Sequence, residues 1–136
     1  MTAVLDTSVM VRYLTLDPPE HGVLAQALIE GPDDFVIPSV ALAEAAFVLT
    51  RLYEVERATC IDLLVDLLGR ANLAPLELSK PRALEALLLC RASSRVSFAD
   101  ALIWAAAREP GPGLLYTFDQ RFPAAQIERR LLVAGT

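Results

Sequence analysis

The sequence predicts an α/β fold, specifically a three-layer α/β/α sandwich around a short-stranded, mainly parallel central sheet. Short apolar runs alternate with longer segments in which apolar residues recur at helical spacing. This alternation is typical of parallel strands joined by helical crossovers, because such strands are buried on both faces. No repeat, low-complexity tract or linker interrupts the 136 residues, so we expect one domain over residues 1–136.

The first half of the chain contains two predicted strands and four predicted helices. The apolar residues 3–5 predict a strand that leads into a helix, whose N-cap lies within residues 6–8. Prolines end the first helix, and Gly31-Pro32 ends the second. The predicted elements are strand 3–5, helix 9–14, helix 20–30, strand 35–37, a helix opened by Pro38-Ser39 that reaches about residue 53, and helix 56–68 with Gly69 as its C′ residue.

The second half continues the alternation with more irregular strands. Pro75 interrupts the third predicted strand, and Ser79 and Ser97 are predicted N-caps of two further helices. The predicted elements are strand 73–78, a helix from Ser79 to about residue 94, a helix from Ser97 to about residue 108, a loop over 109–113, strand 114–116 and a last strand over 131–133.

Composition and charge exclude several classes of protein. No apolar run reaches the roughly 18 residues that cross a bilayer, and no basic segment precedes the first apolar stretch, so we expect neither a membrane protein nor an exported one. Cys60 and Cys90 lie in apolar helical segments and His21 is the only histidine, which disfavours disulfide scaffolds and zinc sites and favours the cytoplasm. The net charge of −5 disfavours nucleic-acid binding by bulk charge, but it allows an enzyme with a locally charged site.

Four acidic residues occupy positions where charge is otherwise absent. Asp6, Glu44 and Asp100 are each the only charged residue in a stretch of eleven residues or more. Asp119 follows the last clear strand by three residues. In parallel sheets the functional site lies outside the carboxyl ends of the strands, so the positions of Asp6 and Asp119 indicate one functional edge.

Glu44 is the acid that is hardest to explain by local structure. It lies about two turns inside its predicted helix, beyond the reach of capping, and it shares a stripe with Val40 and Phe47. We therefore expect the Glu44 side chain to face protein or a cleft rather than open water. Burying an unpaired carboxylate costs several kcal/mol, so some partner must compensate for that charge.

A divalent cation would satisfy all four acids together. The apolar stretches around them supply no Lys or Arg partners, and Mg²⁺ or Mn²⁺ prefers carboxylate oxygens as ligands. We expect uncompensated carboxylates in such a cluster to repel one another, which raises the pKa of some of them. Other interpretations stay open for single residues: Asp6 and Asp119 as helix caps or turn acids, and Asp100 as part of a capping box with Ser97.

Further polar residues are candidates for supporting roles. Hydroxyl groups near the acids can orient carboxylates or hold water, and arginines can contact phosphate groups. The supporting candidates are Thr7, Ser8 and Thr117, and the candidate substrate contacts are Arg12, Arg91, Arg95 and Arg121. We expect Trp104 to lie in the core and His21 at the surface.

Four motifs in this chain resemble those of the PIN domain, and specifically those of a VapC-type toxin ribonuclease. They occur in family-like order and spacing along nearly the whole chain. The motifs are Val4-Leu5-Asp6-Thr7-Ser8 with the helix that follows, Ile37-Pro38-Ser39 with Leu42-Ala43-Glu44, Phe98-Ala99-Asp100-Ala101-Leu102-Ile103, and Thr117-Phe118-Asp119 with Phe122. Trp104 departs from the family, in which small residues are usual at that point of the helix.

The resemblance implies both a site and an activity. It implies that Asp6, Glu44, Asp100 and Asp119 form a catalytic acid cluster that binds one or two Mg²⁺ or Mn²⁺ ions. The chain would then be an endoribonuclease toxin that cleaves RNA phosphodiester bonds and leaves a 5′-phosphate and a 3′-hydroxyl. The resemblance also implies a homodimer and a cognate VapB-type antitoxin whose tail blocks the site.

Other functions are compatible with the same residues. One is a PIN nuclease that acts in RNA processing outside toxin–antitoxin systems, and another is a non-catalytic PIN-like binding module. A phosphotransfer receiver domain also places acids at strand ends, but it needs a lysine on a late strand. The single lysine, Lys80, opens a helix instead, which disfavours that alternative.

Overall fold

Six helices and five short strands make up the part of the chain that the computed structural model describes, residues 3–109 and 113–134. Strands and helices alternate through most of this sequence, which confirms the predicted α/β class. The elements are β1 (Ala3–Val4), α1 (Thr7–Thr15), α2 (Pro19–Ile29), β2 (Phe35–Ile37), α3 (Ser39–Arg51), α4 (Arg57–Leu68), β3 (Leu73–Pro75), α5 (Lys80–Ala92), α6 (Phe98–Arg108), β4 (Gly113–Thr117) and β5 (Ile127–Leu131).

The strands divide between two sheets, and all the strand pairs described are parallel. One sheet has the order β1-β2-β3, with Val4 opposite Val36 and Ile37 opposite Pro75. The other sheet pairs β4 with β5, with Thr117 opposite Leu131. The predicted parallel arrangement is thus confirmed, although the hydrogen-bonded ladders do not join into one sheet.

The pairing of β1 with β2 determines where the first acid lies. Leu5 donates its backbone N–H to the carbonyl oxygen of Val36 at 2.9 Å, which extends the parallel ladder to the residue before Asp6. Both strands end at the same edge of the sheet, and each is followed at once by a helix, α1 or α3. Helices α1 and α3 pack against each other, and the start of α1 lines a common cleft with Glu44 and Val48 of α3.

Helix boundaries agree with the sequence prediction to within two residues. Three of the N-caps are polar side chains that accept hydrogen bonds from backbone N–H groups: Asp6 for α1, Ser79 for α5 and Ser97 for α6. Each cap satisfies a donor that the helix itself cannot satisfy, and this is why the helices begin where the sequence predicts.

The core is aliphatic and lies between the helices and the β1-β2-β3 sheet. The side chains that are largest and most completely buried are Met10, Ile29, Ile37, Leu42, Leu49, Ile61, Leu64, Leu68 and Leu73. Cys60 and Cys90 are buried and free, as predicted. No helix within residues 3–109 and 113–134 is both long and apolar enough to cross a membrane.

The bounds of β3 and β4 differ from the predicted ones, and β1 ends one residue early, at Val4. β3 ends at Pro75 instead of continuing to residue 78, because its partner β2 ends at Ile37, whose carbonyl oxygen accepts a last bond from the Leu76 N–H at 2.9 Å. Gly113 belongs to β4 rather than to a loop, while residues 110–112 lie outside the described residues. A Cβ atom at Gly113 would come within 2.6 Å of the Ala107 carbonyl oxygen, so the approach of this strand to α6 needs glycine.

The last strand and one helix end also differ from the prediction. β5 covers Ile127–Leu131, and the apolar residues 132 and 133, predicted as strand, come after it. Its charged residues lie mainly on exposed positions of a strand at the edge of a sheet, where an apolar pattern is not required. Gly69 is the C-cap of α4 with a right-handed φ of −71°, so it is not a left-handed C′ residue.

Candidate active site

A cleft of about 250 Å³ beside the start of α1 brings together two of the four predicted acids. Asp6 reaches it from the junction of β1 and α1, and Glu44 reaches it from the second turn of α3. Arg12, one turn further along α1, lines the same cleft, and the rest of the wall is Thr7, Ser8, Val11 and Val48. The parallel pairing of β1 with β2 therefore produces an acidic cleft with one basic wall.

The Asp6 carboxylate is oriented by its neighbour Ser8. Oδ2 of Asp6 accepts hydrogen bonds from the Ser8 hydroxyl at 2.6 Å and from the Ser8 backbone N–H at 3.3 Å. These bonds stabilise the charged form, the hydroxyl bond most, and they hold the pKa of Asp6 below its ordinary value. Repulsion in the cluster is expected to raise the pKa of some of the four acids, and Asp6 is not one of them, because local donors determine the direction of its shift.

Glu44 lies on an exposed wall of the cleft, and the expectation that it avoids open water is wrong. Val40 and Phe47, the apolar neighbours on its stripe, are themselves 74% and 58% exposed. The face of α3 that is turned to the core is a different one, made of Ala41, Leu42, Ala45, Ala46 and Leu49. The stripe of Val40, Glu44 and Phe47 therefore lies on the protein surface, but the prediction that Glu44 faces a cleft is confirmed.

Asp100 lies in the first turn of α6, where only half of the predicted capping box forms. Ser97 Oγ accepts the Asp100 backbone N–H at 3.0 Å, but no bond returns from the Asp100 carboxylate to Ser97. Among the described residues, this carboxylate accepts no hydrogen bond and has no Arg or Lys within ion-pair distance. The carboxylate of Asp100 therefore takes no part in capping α6.

Asp119 has the local role of a turn acid. Its Oδ1 accepts the backbone N–H of Arg121 at 2.8 Å, and its own N–H donates to Thr117 Oγ1 at 3.0 Å. These two bonds fold the chain into a turn directly after β4. Thr117 thus contacts the backbone of Asp119, while its predicted role in orienting the carboxylate stays a prediction, and Asp119 does not line the cleft that holds Asp6 and Glu44.

The four acids are not gathered into a ready-made metal site. No group of three or more His, Cys, Asp or Glu side chains among residues 3–109 and 113–134 is placed to hold a metal ion. Their convergence on one cation therefore stays a prediction. The ion pairs in the described part of the chain use other acids, namely Asp62, Glu85, Glu109 and Glu128.

The donor chemistry of the cleft nevertheless suits a hard divalent cation. Asp6 and Glu44 are both exposed carboxylates that line one cavity, and neither forms an ion pair with the described residues. Mg²⁺ and Mn²⁺ are commonly held by one or two carboxylates together with water and phosphate oxygens. Two acids in one cleft meet that minimum.

The four arginines predicted to contact substrate lie in different surroundings. Arg91 is paired within the fold, because its Nε and Nη2 bind the two carboxylate oxygens of Asp62 at 2.9 and 3.0 Å, and its contact with substrate stays a prediction. This partner lies 29 residues away on α4 and is invisible to local sequence reasoning. Arg12 lines the acidic cleft, whereas Arg95 and Arg121 are exposed, so their contact with substrate stays a prediction.

Two apolar cavities near the cleft were not predicted from the sequence. One of about 340 Å³ shares Ser8 and Arg12 with the cleft and is completed by His21 and by Leu24 and Leu28 of α2. The other, of about 590 Å³, lies between α3 and α6 and is lined by apolar residues such as Val40, Leu102 and Ile103. The signal that could have indicated them is the excess of apolar residues in these helices over what one buried face requires.

Trp104 is a core residue, as predicted, and it binds two parts of the fold together. The side chain is 4% exposed, and its indole N–H donates to the Ala125 carbonyl oxygen at 2.8 Å. The Arg108 guanidinium lies 5.1 Å from the ring centroid. The large residue at this position therefore affects packing between α6 and the segment before β5, and it does not line the acidic cleft.

Comparison with known proteins adds one finding to this geometry. A family model described as PIN domain matches residues 3–128, which includes all four acids and both sheets apart from the end of β5. A search of curated proteins finds no match.

Proposed function

This chain belongs to the PIN domain family, whose members are generally nucleases, and we propose that it is a divalent-metal-dependent endoribonuclease toxin of the VapC type. The family supports the nuclease activity. The choice of RNA as substrate and of a toxin role comes from the resemblance of the four acidic motifs to VapC-type sequences. We place its action in the cytoplasm, where RNA is accessible.

One observation supports this proposal more than any other. Asp6 and Glu44 share a cleft with Arg12, although they lie on helices whose sequence positions are more than thirty residues apart. Two exposed acids and one base are the combination that a phosphodiester substrate needs, since a guanidinium attracts the phosphate and the carboxylates remain free for a cation. The proposal adds Asp100 and Asp119 as the remaining acids of the site.

Each residue of the cleft has a role in the proposed reaction. Asp6, held by Ser8, and Glu44 would hold the divalent cation. Such a cation would neutralise charge on the phosphate and would lower the pKa of a water molecule. Arg12 would draw the scissile phosphate toward the two acids and orient it. The Ser8 hydroxyl keeps Asp6 ionised and fixed in direction, so little reorganisation is required when substrate binds.

The two neighbouring apolar cavities support the proposed partners. The cavity between α1 and α2 adjoins the acidic cleft through Ser8 and Arg12, so a bound antitoxin segment there would also cover the cleft. The cavity between α3 and α6 has exposed apolar walls, including Val40 at 74% and Ile103 at 50%, and we propose that a second copy of the chain covers it.

Expression of the wild type and of Asp6→Asn side by side tests the activity. Asparagine is an equally good N-cap, so this variant removes the charge and keeps the start of α1. Asp66→Asn is the matched control, since Asp66 is an exposed acid of α4 that lines no part of the cleft. We expect new RNA 5′ ends and growth arrest with the wild type and the control, and neither with Asp6→Asn.

The alternatives are distinguished by the same experiment. Growth arrest without new RNA ends, unchanged in Asp6→Asn, would indicate a non-catalytic binding module. RNA cleavage without growth arrest, together with the absence of a small antitoxin reading frame beside the gene, would indicate an RNA-processing nuclease.

A further inference from the structure

A third cavity shares Ala43 and Ala99 with the apolar cavity between α3 and α6, but its lining is unlike that of the two apolar cavities. It has a volume of about 280 Å³ and is bounded by the second half of α3, the start of α4 and the first turn of α6. Its walls combine aromatic, basic and hydroxyl side chains: Phe47, Thr50, Arg51, Arg57, Ser97 and Phe98, with Ala43 and Ala99 between them. We call it the Phe47 pocket.

The Phe47 pocket presents an aromatic surface to solvent. The Phe47 side chain is 58% exposed, which is unusual for an aromatic residue in the middle of a helix unless it meets a partner. The Arg51 guanidinium lies 5.9 Å from the Phe47 ring centroid, and the Arg57 guanidinium lies 4.7 Å from the ring centroid of Phe98. Both aromatic rings of the pocket therefore have a cation beside them.

Neither of these cations is neutralised by a carboxylate. In the described part of a chain with net charge −5, no acid lies within ion-pair distance of Arg51 or Arg57. Arg57 uses Nε and Nη2 to bind the backbone carbonyl oxygens of Cys90, Ser93 and Val96, and its Nη1 makes no hydrogen bond with the described residues. The pocket therefore holds two positive charges and an available donor.

The pocket is also aligned with the acids of the proposed site. Glu44, Phe47 and Arg51 follow one another on α3 at i, i+3 and i+7, so they lie along one face of the helix. On the other wall, Ser97 and Phe98 immediately precede Asp100 in the first turn of α6. A chain bound at Glu44 can therefore continue into this pocket.

We propose that the Phe47 pocket binds one nucleotide of a single-stranded RNA, beside the phosphate that is cleaved. The base stacks on the Phe47 ring, and a backbone phosphate contacts Arg51 and the free Nη1 of Arg57. Aromatic stacking together with guanidinium contacts is the usual means of holding a single strand without reading its sequence. This inference rests on the proposed function in one respect, since it takes RNA as the substrate.

The test measures RNA binding separately from cleavage. A 5′-fluorescein-labelled octauridylate is titrated with the full chain carrying Asp6→Asn, which keeps the RNA intact, and fluorescence anisotropy reports affinity. Phe47→Ala and Arg51→Ala are compared with the conservative variants Phe47→Tyr and Arg51→Lys. Leu52→Ala and Arg130→Ala are the controls, because both residues are exposed and neither lines the pocket.

We expect Phe47→Ala and Arg51→Ala each to weaken binding about tenfold. Phe47→Tyr keeps a stacking ring and should bind within about twofold of the parent. The salt dependence separates the two roles: Arg51→Ala should reduce the slope of log K against log salt by about 0.7, whereas Phe47→Ala should leave it unchanged. The two controls should match the parent.

Two results would overturn the inference. One is unchanged RNA affinity in both alanine variants while the controls behave as expected. The other is a loss of affinity that occurs only together with a shift in sedimentation, which would make the pocket a contact between copies of the chain and the loss of RNA binding indirect. Failure of the proposed function looks different, because RNA would then bind at Phe47 and Arg51 without being cleaved by the unmutated chain.

Discussion

The Ser8 hydroxyl lies 2.6 Å from Oδ2 of Asp6, and the Ser8 backbone N–H reaches the same oxygen at 3.3 Å. Asp6 caps α1, and the same two bonds hold its carboxylate on the wall of the acidic cleft. The hydrogen bonds that complete the helix start leave the other carboxylate oxygen unused by Ser8. Capping and metal binding are therefore compatible roles for Asp6, although the sequence alone presents them as alternatives.

Ser8→Ala should move the acid limb of the pH–rate profile to higher pH. Its hydroxyl is the largest cause of the lowered pKa of Asp6, so without it the carboxylate takes up a proton at a higher pH. The stability that these bonds contribute is present above the ordinary pKa and is lost as the pH falls through the lowered one. Ser94→Ala, at an exposed turn, is the control, and an unshifted acid limb in Ser8→Ala would contradict the assignment.

Glu44→Gln should abolish cleavage without destabilising the fold. The side chain is exposed and forms no ion pair with the described residues, so its replacement should change the free energy of unfolding by no more than about 0.5 kcal/mol. Loss of a cation-binding carboxylate should reduce the cleavage rate by roughly 100-fold or more. Urea unfolding and RNA cleavage are measured on one preparation, with Asp66→Asn as the control.

Mn²⁺ should raise the melting temperature of the wild type and have less effect on Glu44→Gln. A ligand that binds only the folded state stabilises it in proportion to the logarithm of its concentration over Kd. Chelation should stop RNA cleavage, and added Mg²⁺ should restore it. An equal Mn²⁺ shift in Asp6→Asn, Glu44→Gln and the wild type would place the ion elsewhere.

Cys60 and Cys90 should react slowly with thiol reagents until the protein unfolds. Burial raises the pKa of each thiol to about 11, so almost no thiolate forms at neutral pH. Because the folded state disfavours the thiolate, the free energy of unfolding should decrease as the pH rises from the ordinary thiol pKa of about 8.5 toward 11. The urea midpoint of Cys60→Ala should depend less on pH over that range than the wild-type midpoint does.

Trp104→Ala should cost about 3–5 kcal/mol of unfolding free energy, since it leaves a large cavity in the core. Trp104→Phe refills most of that volume but leaves the Ala125 carbonyl oxygen without the indole donor, at a cost of about 1–3 kcal/mol. Urea unfolding measures both values. Equal costs for the two variants would show that the lost hydrogen bond to Ala125 dominates, whereas a cost near zero for Trp104→Phe would show that volume alone matters.

The sequence predicted helices better than strands, for a physical reason. Helix starts depend on local groups such as Asp6, Ser79 and Ser97, which accept bonds from N–H groups two or three residues away. Strands depend on partners that are distant in the chain. β5 shows this, because its charged residues become a strand only when β4 lies beside them.

The sequence predicted which residue types form the candidate site, but it did not predict how exposed their side chains are to solvent. The isolation of Glu44 among apolar residues identified it correctly as unusual, yet Val40 and Phe47 proved to be exposed with it. Apolar spacing shows that residues share a face and does not show what covers that face. The pairing of Arg91 with Asp62 across two helices was equally beyond reach of sequence spacing.

The contacts of Arg57 have a consequence for how this chain can vary in evolution. Its guanidinium binds the backbone carbonyl oxygens of Cys90, Ser93 and Val96, so it holds the turn between α5 and α6 without depending on the side chains there. Residues 93 and 94 are therefore free to drift in sequence, whereas position 57 should keep its arginine, because the single ammonium group of lysine cannot reproduce the planar fork. Relatives that retain this turn should retain an arginine in its place.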